Sequence, residues 1–315
     1  MGAIIDITFV KLLLSGVIRG SVRDPYALYR CREHFQAWLL RLSGCGGEGC
    51  PRCREGSCAY GSAFLQPLGN DPTTVKRHQK PPVPFAFSFP VLEDQSEFEV
   101  GLTLVGTAIT HAPLFVKSFA GMLEGLGLNG ATAELVRVES AGYFGERSPC
   151  LVGEDTSAGA EPTILSGTGL VESRILGETL ELSFDTPLRI IQDGAPLRSF
   201  TFSVFARALM RRVSALASAY CDREIDDDFR WLAQLSAGVR PASQAMRWID
   251  WREVDQRGRY GGLAGKAVFA VSDVELFIPY LLVGEYLGVG KGAPFGLGRF
   301  HLCGDGGGSC IKDRV

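Results

Sequence analysis

The order in which hydrophobic periodicity changes along this chain restricts its fold most, because the same order runs twice. Ile4 to Ile18 is rich in Ile, Val and Leu and reads as a mostly buried strand. Asp24 and Pro25 then open a helix in which Leu28, Cys31, Phe35, Leu39 and Leu42 recur at helical spacing as far as Gly44. The stiff segment Pro81-Pro82-Val83-Pro84 leads into strand candidates at Phe85 to Phe89 and Glu97 to Ile109. A helix over Pro113 to Leu126 stops at Gly127, and Ala133 to Glu139 reads as the next strand. After a Gly-, Ser-, Pro- and acid-rich stretch, the plan repeats. Ile175 to Asp185 reads as a strand, and Ser199 to Tyr220 as a helix with Phe202, Phe205, Ala206, Leu209, Val213, Leu216 and Tyr220 along one face. Gly261 to Phe269 and Val271 to Phe277 read as strands, Pro279 to Tyr286 as a short helix, and Arg299 to Cys303 as a last strand.

Strand, helix, two strands, helix, strand is the order of a βαββαβ layer, in which helices cover one face of an antiparallel sheet. The expected fold class is therefore α+β: two tandem ferredoxin-like (RRM-like) domains at 1–139 and 175–304, joined by a connector at 140–174 and followed by a tail at 305–315. A length of 315 residues suits about two domains. The first domain carries a cysteine-rich insertion at 45–58, the second a Gly-rich loop at 288–298.

The formal charge is −3, so nucleic acid cannot be held by overall basicity, and any such site is local. Residues 11 to 54 supply local charge, with eight Lys or Arg against three Asp or Glu. Asp6, Lys11, Glu275 and Glu285 interrupt the most apolar stretches, which argues against a membrane span, and the first residues lack a secretory pattern. The expected location is the cytoplasm.

In Leu287-Gly-Val-Gly-Lys-Gly-Ala-Pro-Phe-Gly-Leu-Gly-Arg-Phe300, the glycines Gly288, Gly290, Gly292, Gly296 and Gly298 surround Lys291 and Arg299. Glycine lets backbone N–H groups approach phosphate oxygens, and flanking cations add charge. No Gly-Lys-Ser/Thr closes a Walker spacing, which disfavours a nucleoside triphosphatase. A tight hairpin needing positive φ is the bland alternative.

This Gly-rich end resembles the signature loop of the RAMP superfamily, and more narrowly of the CRISPR-associated endoribonucleases that cut precursor CRISPR RNA repeats. Further segments look similar in the same order: Gly101 to Ala108, Thr186-Pro187-Leu188-Arg189, Arg207 to Leu216, Arg247-Trp248-Ile249-Asp250-Trp251-Arg252, and Gly261-Gly-Leu-Ala-Gly265. The resemblance implies two ferredoxin-like domains, binding of repeat RNA, and metal-independent cleavage. In that reaction the RNA's own 2′-hydroxyl attacks the adjacent phosphate, leaving a 2′,3′-cyclic phosphate. It also implies hand-over of a mature guide RNA to a CRISPR effector complex.

Such cleavage needs a base, an acid and cations around the phosphorane. On the first helix Arg30, His34 and Arg41 fall along one strip. His34 is the candidate proton carrier, with Arg30 and Arg41 as charge stabilisers. The family places its catalytic His in this helix near a Leu-Arg-Gly motif, which Leu28-Tyr29-Arg30-Cys31 replaces imperfectly. Candidate RNA-binding cations are Lys291, Arg299, Arg207, Arg211, Arg212, Arg247, Arg252 and Arg257. Arg207, Arg211 and Arg212 could equally pair with Asp226, Asp227 and Asp228, and Trp248 and Trp251 could stack on bases or lie in a core. His78, His111 and His301 read as structural.

Cys45, Cys50, Cys53 and Cys58 have the spacing C-x4-C-x2-C-x4-C. A closed zinc site is the first reading, with unligated thiols or an iron–sulfur cluster the alternatives. Two other functional readings stand beside the endoribonuclease: a RAMP-type guide-RNA-binding subunit without cleavage, and a zinc-ribbon interaction protein.

Overall fold

The computed structural model describes residues 5–44, 58–65, 81–93, 95–125, 128, 131–150, 161–252 and 259–305. In the first half the elements are β1 (Thr8–Arg19), a 3-10 turn (Ala27–Arg30), α1 (Arg32–Leu42), β2 (Phe85–Ser88), β3 (Glu97–Val105), α2 (Ala112–Gly125), β4 (Thr132–Ala141) and β5 (Arg147–Pro149). The sheet runs β2-β3-β1-β4-β5, every neighbour antiparallel. Alternation along β1 decides which face is covered. Val10, Leu12 and Leu14 meet Phe35 and Leu39 of α1 and Phe115, Phe119 and Met122 of α2 in one core, whereas Lys11 and Ser15 point to the other face.

The segment between the halves is structured where it is described. β6 (Ile164–Ser166) pairs with the start of β1, and Ser166 caps α3 (Gly167–Ser173) by accepting the Gly169 N–H at 3.0 Å.

The second half contains β7 (Thr179–Leu188), the two-residue strands β8 (Ile191–Gln192) and β9 (Ala195–Pro196), α4 (Phe202–Cys221), α5 (Phe229–Gly238), β10 (Ser243–Arg252), β11 (Arg259–Ala270), α6 (Ile278–Leu287) and β12 (Phe300–Gly304). Its sheet has the order β10-β11-β7-β12, again antiparallel. With α4 after the first of these strands and α6 before the last, this is the same order as in the first half. Phe202, Phe205 and Leu209 of α4 pack on Leu182, Phe184, Phe269 and Phe300 of the sheet.

Two stretches differ from their sequence reading. Val271 to Phe277 is helical, not extended, because Val271, Val274 and Phe277 recur every three residues and bury Val274 and Phe277 on one side. Ser243 to Arg252, whose mixed pattern signals neither helix nor strand, is β10.

The two cores exchange residues. Ile5, Ile7 and Phe9 from the start of the chain lie in the core of the second half, while Trp251, Phe295 and Leu297 from the second half lie in the core of the first. Among the described residues no helix is long and apolar enough to cross a membrane.

Candidate nucleic-acid interface

The Gly-rich loop is a folded plug. Gly288, Gly290, Gly292, Gly296 and Gly298 all have positive φ. The need is plainest at Gly298, where a Cβ would stand 1.9 Å from the Val289 carbonyl oxygen, and at Gly290, 2.5 Å from that of Arg189. The loop's amides turn inward. Val289 donates to Gly298 O (3.0 Å), Gly298 to Pro187 O (3.0 Å), Lys291 to Arg189 O (2.7 Å), and Phe295 and Leu297 to Gly292 O (2.9 and 3.3 Å). Several of the N–H groups that the sequence offers to phosphate thus fix the loop's shape.

This plug crosses to the first half. Phe87 N–H on the open edge of β2 donates to Pro294 O at 2.9 Å, and Phe87 and Phe295 form a parallel bridge. The Phe295 ring lies 5.5 Å from Phe85 and 6.4 Å from Phe35, and the Arg32 guanidinium lies 5.9 Å over it. Arg299 donates to Ser88 Oγ and to the Phe89 carbonyl, which also accepts the Tyr29 hydroxyl at 2.7 Å. From the other side, Trp251 of β10 stacks on Tyr26 at 4.4 Å and meets Tyr29 edge-on at 4.8 Å. The turn leading into α1 is thus held between the Gly-rich loop and the β10–β11 pair. Burial pushes the Tyr29 phenol up to about 12, in keeping with a structural hydroxyl.

The candidate catalytic strip is only partly continuous. Arg30 lies in the 3-10 turn, before α1 begins at Arg32, and is paired with the buried carboxylate of Asp24, which also accepts Tyr26 N–H at 3.0 Å. His34 is exposed on α1 beside Gly125 of α2 and has no hydrogen-bond partner among the described residues. Arg41 stacks on Trp38 at 4.9 Å two turns further on.

Of the candidate RNA-binding cations, Lys291, Arg207, Arg211 and Arg247 are exposed. Neither Arg207 nor Arg211 forms an ion pair among the described residues; Asp227 instead accepts from Tyr280, and Asp228 caps α5. Arg212 is half-buried, donates to Leu287 O at the end of α6 (3.2 Å), and is pushed down to about 10 by desolvation. Arg212 and Arg299 therefore brace the loop from within. The side chain of Arg252 and all of Arg257 lie outside the described residues, as do Cys45, Cys50, Cys53 and His78. Cys58 is a partly exposed free thiol whose sulfur accepts Gly61 N–H at 3.1 Å. The sequence does not single out Arg32 or Arg189 as site residues, yet both sit against the loop; the large aromatic Phe295 among its glycines is the signal that it docks.

Behind the loop lies a polar cluster. His301 Nε2 is 3.0 Å from Asp185 Oδ2, and its Nδ1 is 3.7 Å from Glu285 Oε1. Glu285 also takes Arg174 at 3.1 Å and the Leu302 amide on the open edge of β12 at 2.9 Å, and Lys11 Nζ lies 5.5 Å over Tyr286. Burial alone would lower the His301 pKa, but the carboxylates of Asp185 and Glu285 outweigh it and the net shift is upward. The raised value in the folded chain makes this cluster's stabilisation full below the ordinary His value of about 6.5 and lost as pH rises through the raised one. Thermal midpoints should therefore fall across that window, and His301→Gln should flatten the fall; identical pH profiles would remove His301 from the balance.

Residues 182–300 match the family model described as CRISPR-associated endoribonuclease Cas6, and residues 31–161 match one described as an N-terminal domain. No curated protein matches the chain in sequence. Thermus thermophilus Cas6 has a similar fold, with a TM-score of 0.54 at 17% identity over 94% of this chain and 99% of its own. A Cas6 product complex gives 0.55 at 19% identity over 94% and 100% of the two chains. A second product complex gives 0.53 at 16% over 93% and 98%. At these identities the structural likeness is one of fold, and it extends over both halves; the sequence match to the CRISPR-associated endoribonuclease Cas6 family runs from β7 through the Gly-rich loop.

Proposed function

We propose that this protein binds precursor CRISPR repeat RNA and cuts it without a metal ion, as two ferredoxin-like layers gripping one RNA. The observation that carries this reading is the joining of α1 to the Gly-rich loop at the edge of β2. One helix and its lead-in turn bear Arg30, Arg32 and His34, one loop bears Lys291, and Phe295 pins them together. Similar folds solved as Cas6 product and substrate-mimic complexes support it.

In the proposed reaction His34 exchanges protons at the scissile group, as a histidine does near neutral pH. The 2′-oxygen loses its proton and bonds to the adjacent phosphorus, the bond to the 5′-oxygen breaks, and that oxygen leaves protonated. The products are a 2′,3′-cyclic phosphate and a 5′-hydroxyl. Arg30 and Arg32 supply positive charge beside the helix start. Lys291, Arg207, Arg211 and Arg247 are exposed cations for the RNA backbone, with Arg252 and Arg257 as further candidates. The mature guide RNA then passes to CRISPR effector subunits in the cytoplasm. Incubating the protein with its repeat RNA in EDTA should give a shortened product with a cyclic phosphate end. Tight binding without cutting would instead identify a guide-RNA-holding subunit.

We also propose that Cys45, Cys50, Cys53 and Cys58 hold a structural zinc. Four thiolates leave no open position for water, and the amide already bonded to the Cys58 sulfur is an outer-sphere contact that a ligating thiolate keeps. Metal analysis should find about one zinc per chain, reduced in Cys58→Ser, with cleavage in EDTA retained by the wild type; equal zinc in both proteins would refute Cys58 as a ligand.

A further inference from the structure

Arg198 and Trp248 form an arrangement that the cleavage reaction does not use. Trp248 lies on β10 with one side against β11, where a Cβ at Gly261 would stand 2.6 Å from the indole, so only a glycine admits the ring. Over Trp248 lies the guanidinium of Arg198, with Cζ 3.6 Å from the ring centroid. Arg198 is exposed and forms no ion pair among the described residues. Its backbone is also fixed. It follows the β8–β9 hairpin, which turns through Asp193 and Gly194, both with positive φ, and closes with Leu197 N–H on Ile190 O at 2.8 Å. The neighbouring Arg189 carbonyl holds the Lys291 amide, so this hairpin adjoins the Gly-rich loop directly.

A guanidinium held flat on an aromatic ring, with no carboxylate to satisfy it, offers its outer face to another flat, electron-rich group. Single-stranded RNA presents such groups as unpaired bases, which stack on aromatic rings and on Arg planes alike. We infer that the Arg198–Trp248 stack is a platform for one unpaired base of the bound RNA, placed beside the phosphate grip of Lys291. This subsite rests on the RNA-processing reading above.

The test is binding of repeat RNA carrying 2-aminopurine in its unpaired segment to wild type, Arg198→Lys and Arg198→Ala. Arg198→Lys keeps the charge and removes the plane. It should raise Kd by at least about fivefold with the salt dependence unchanged, and should lose the fluorescence quenching seen with wild type. Arg198→Ala should show the same loss of quenching with a salt slope smaller by about one. Lysine binding and quenching as well as arginine would overturn the platform while leaving the RNA-processing reading intact. A wild type that binds no repeat RNA would overturn both.

Discussion

His34→Ala is expected to slow cleavage of repeat RNA by about 10²- to 10⁴-fold, the usual contribution of a positioned proton carrier, while leaving affinity unchanged. The imidazole is exposed and touches the fold lightly, so its removal opens no cavity and leaves no buried group unpaired. Single-turnover rates at saturating protein, together with direct binding, separate the two quantities. An unchanged rate would exclude His34 from the chemistry and leave the Arg30 and Arg32 side to carry it by positioning and charge alone. A parallel loss of rate and affinity would make it a binding residue.

Phe295→Ala is expected to destabilise the protein by about 3–5 kcal/mol, as truncation of a large buried ring does. The ring is 8% exposed and lies among Phe35, Phe85 and Phe87, so both halves feel the void. Lys291→Ala, four residues earlier in the same loop, should leave denaturant midpoints in place and instead weaken RNA binding, with a salt slope reduced by about one. The contrast divides the loop into a packing part and a charged part. A Phe295→Ala protein as stable as wild type would show that the plug is not seated in the first half; a Lys291→Ala protein with the normal salt slope would take the loop out of phosphate binding.

Much of this architecture is legible in the sequence because period-two and helical patterns each commit a face to a core. β1, α2, α4 and α6 fall close to their expected positions, whereas the helix expected from Asp24 opens only at Arg32, because Ala27–Arg30 form a 3-10 turn and Asp24 pairs with Arg30 instead of capping. β10 is obscured because its alternation serves two cores at once, with Trp248 packed on the second half and Ile249 and Trp251 on the first. α5 is short, and with Trp231 and Leu235 exposed its apolar residues do not mark its buried face. In the candidate site, composition identifies the Gly-rich loop and its cations but is blind to direction. Only three-dimensional placement turns most of the loop's amides inward, ties Arg212 to the end of α6 and Arg299 to β2, and brings Arg32 over Phe295. The break between Arg30 and His34 is likewise invisible to a wheel drawn with one helical repeat, since the chain passes from a 3-10 turn into α1 at that point.

The reciprocal lodging of Ile5, Ile7 and Phe9 in one core and of Trp251, Phe295 and Leu297 in the other bears on how this protein can be dissected. A gene split within the joining segment would yield two fragments, each missing the other's plug and each with a greasy socket open to water. Such pieces would aggregate when made singly and reassemble when made together, which makes the pair a ready substrate for fragment complementation.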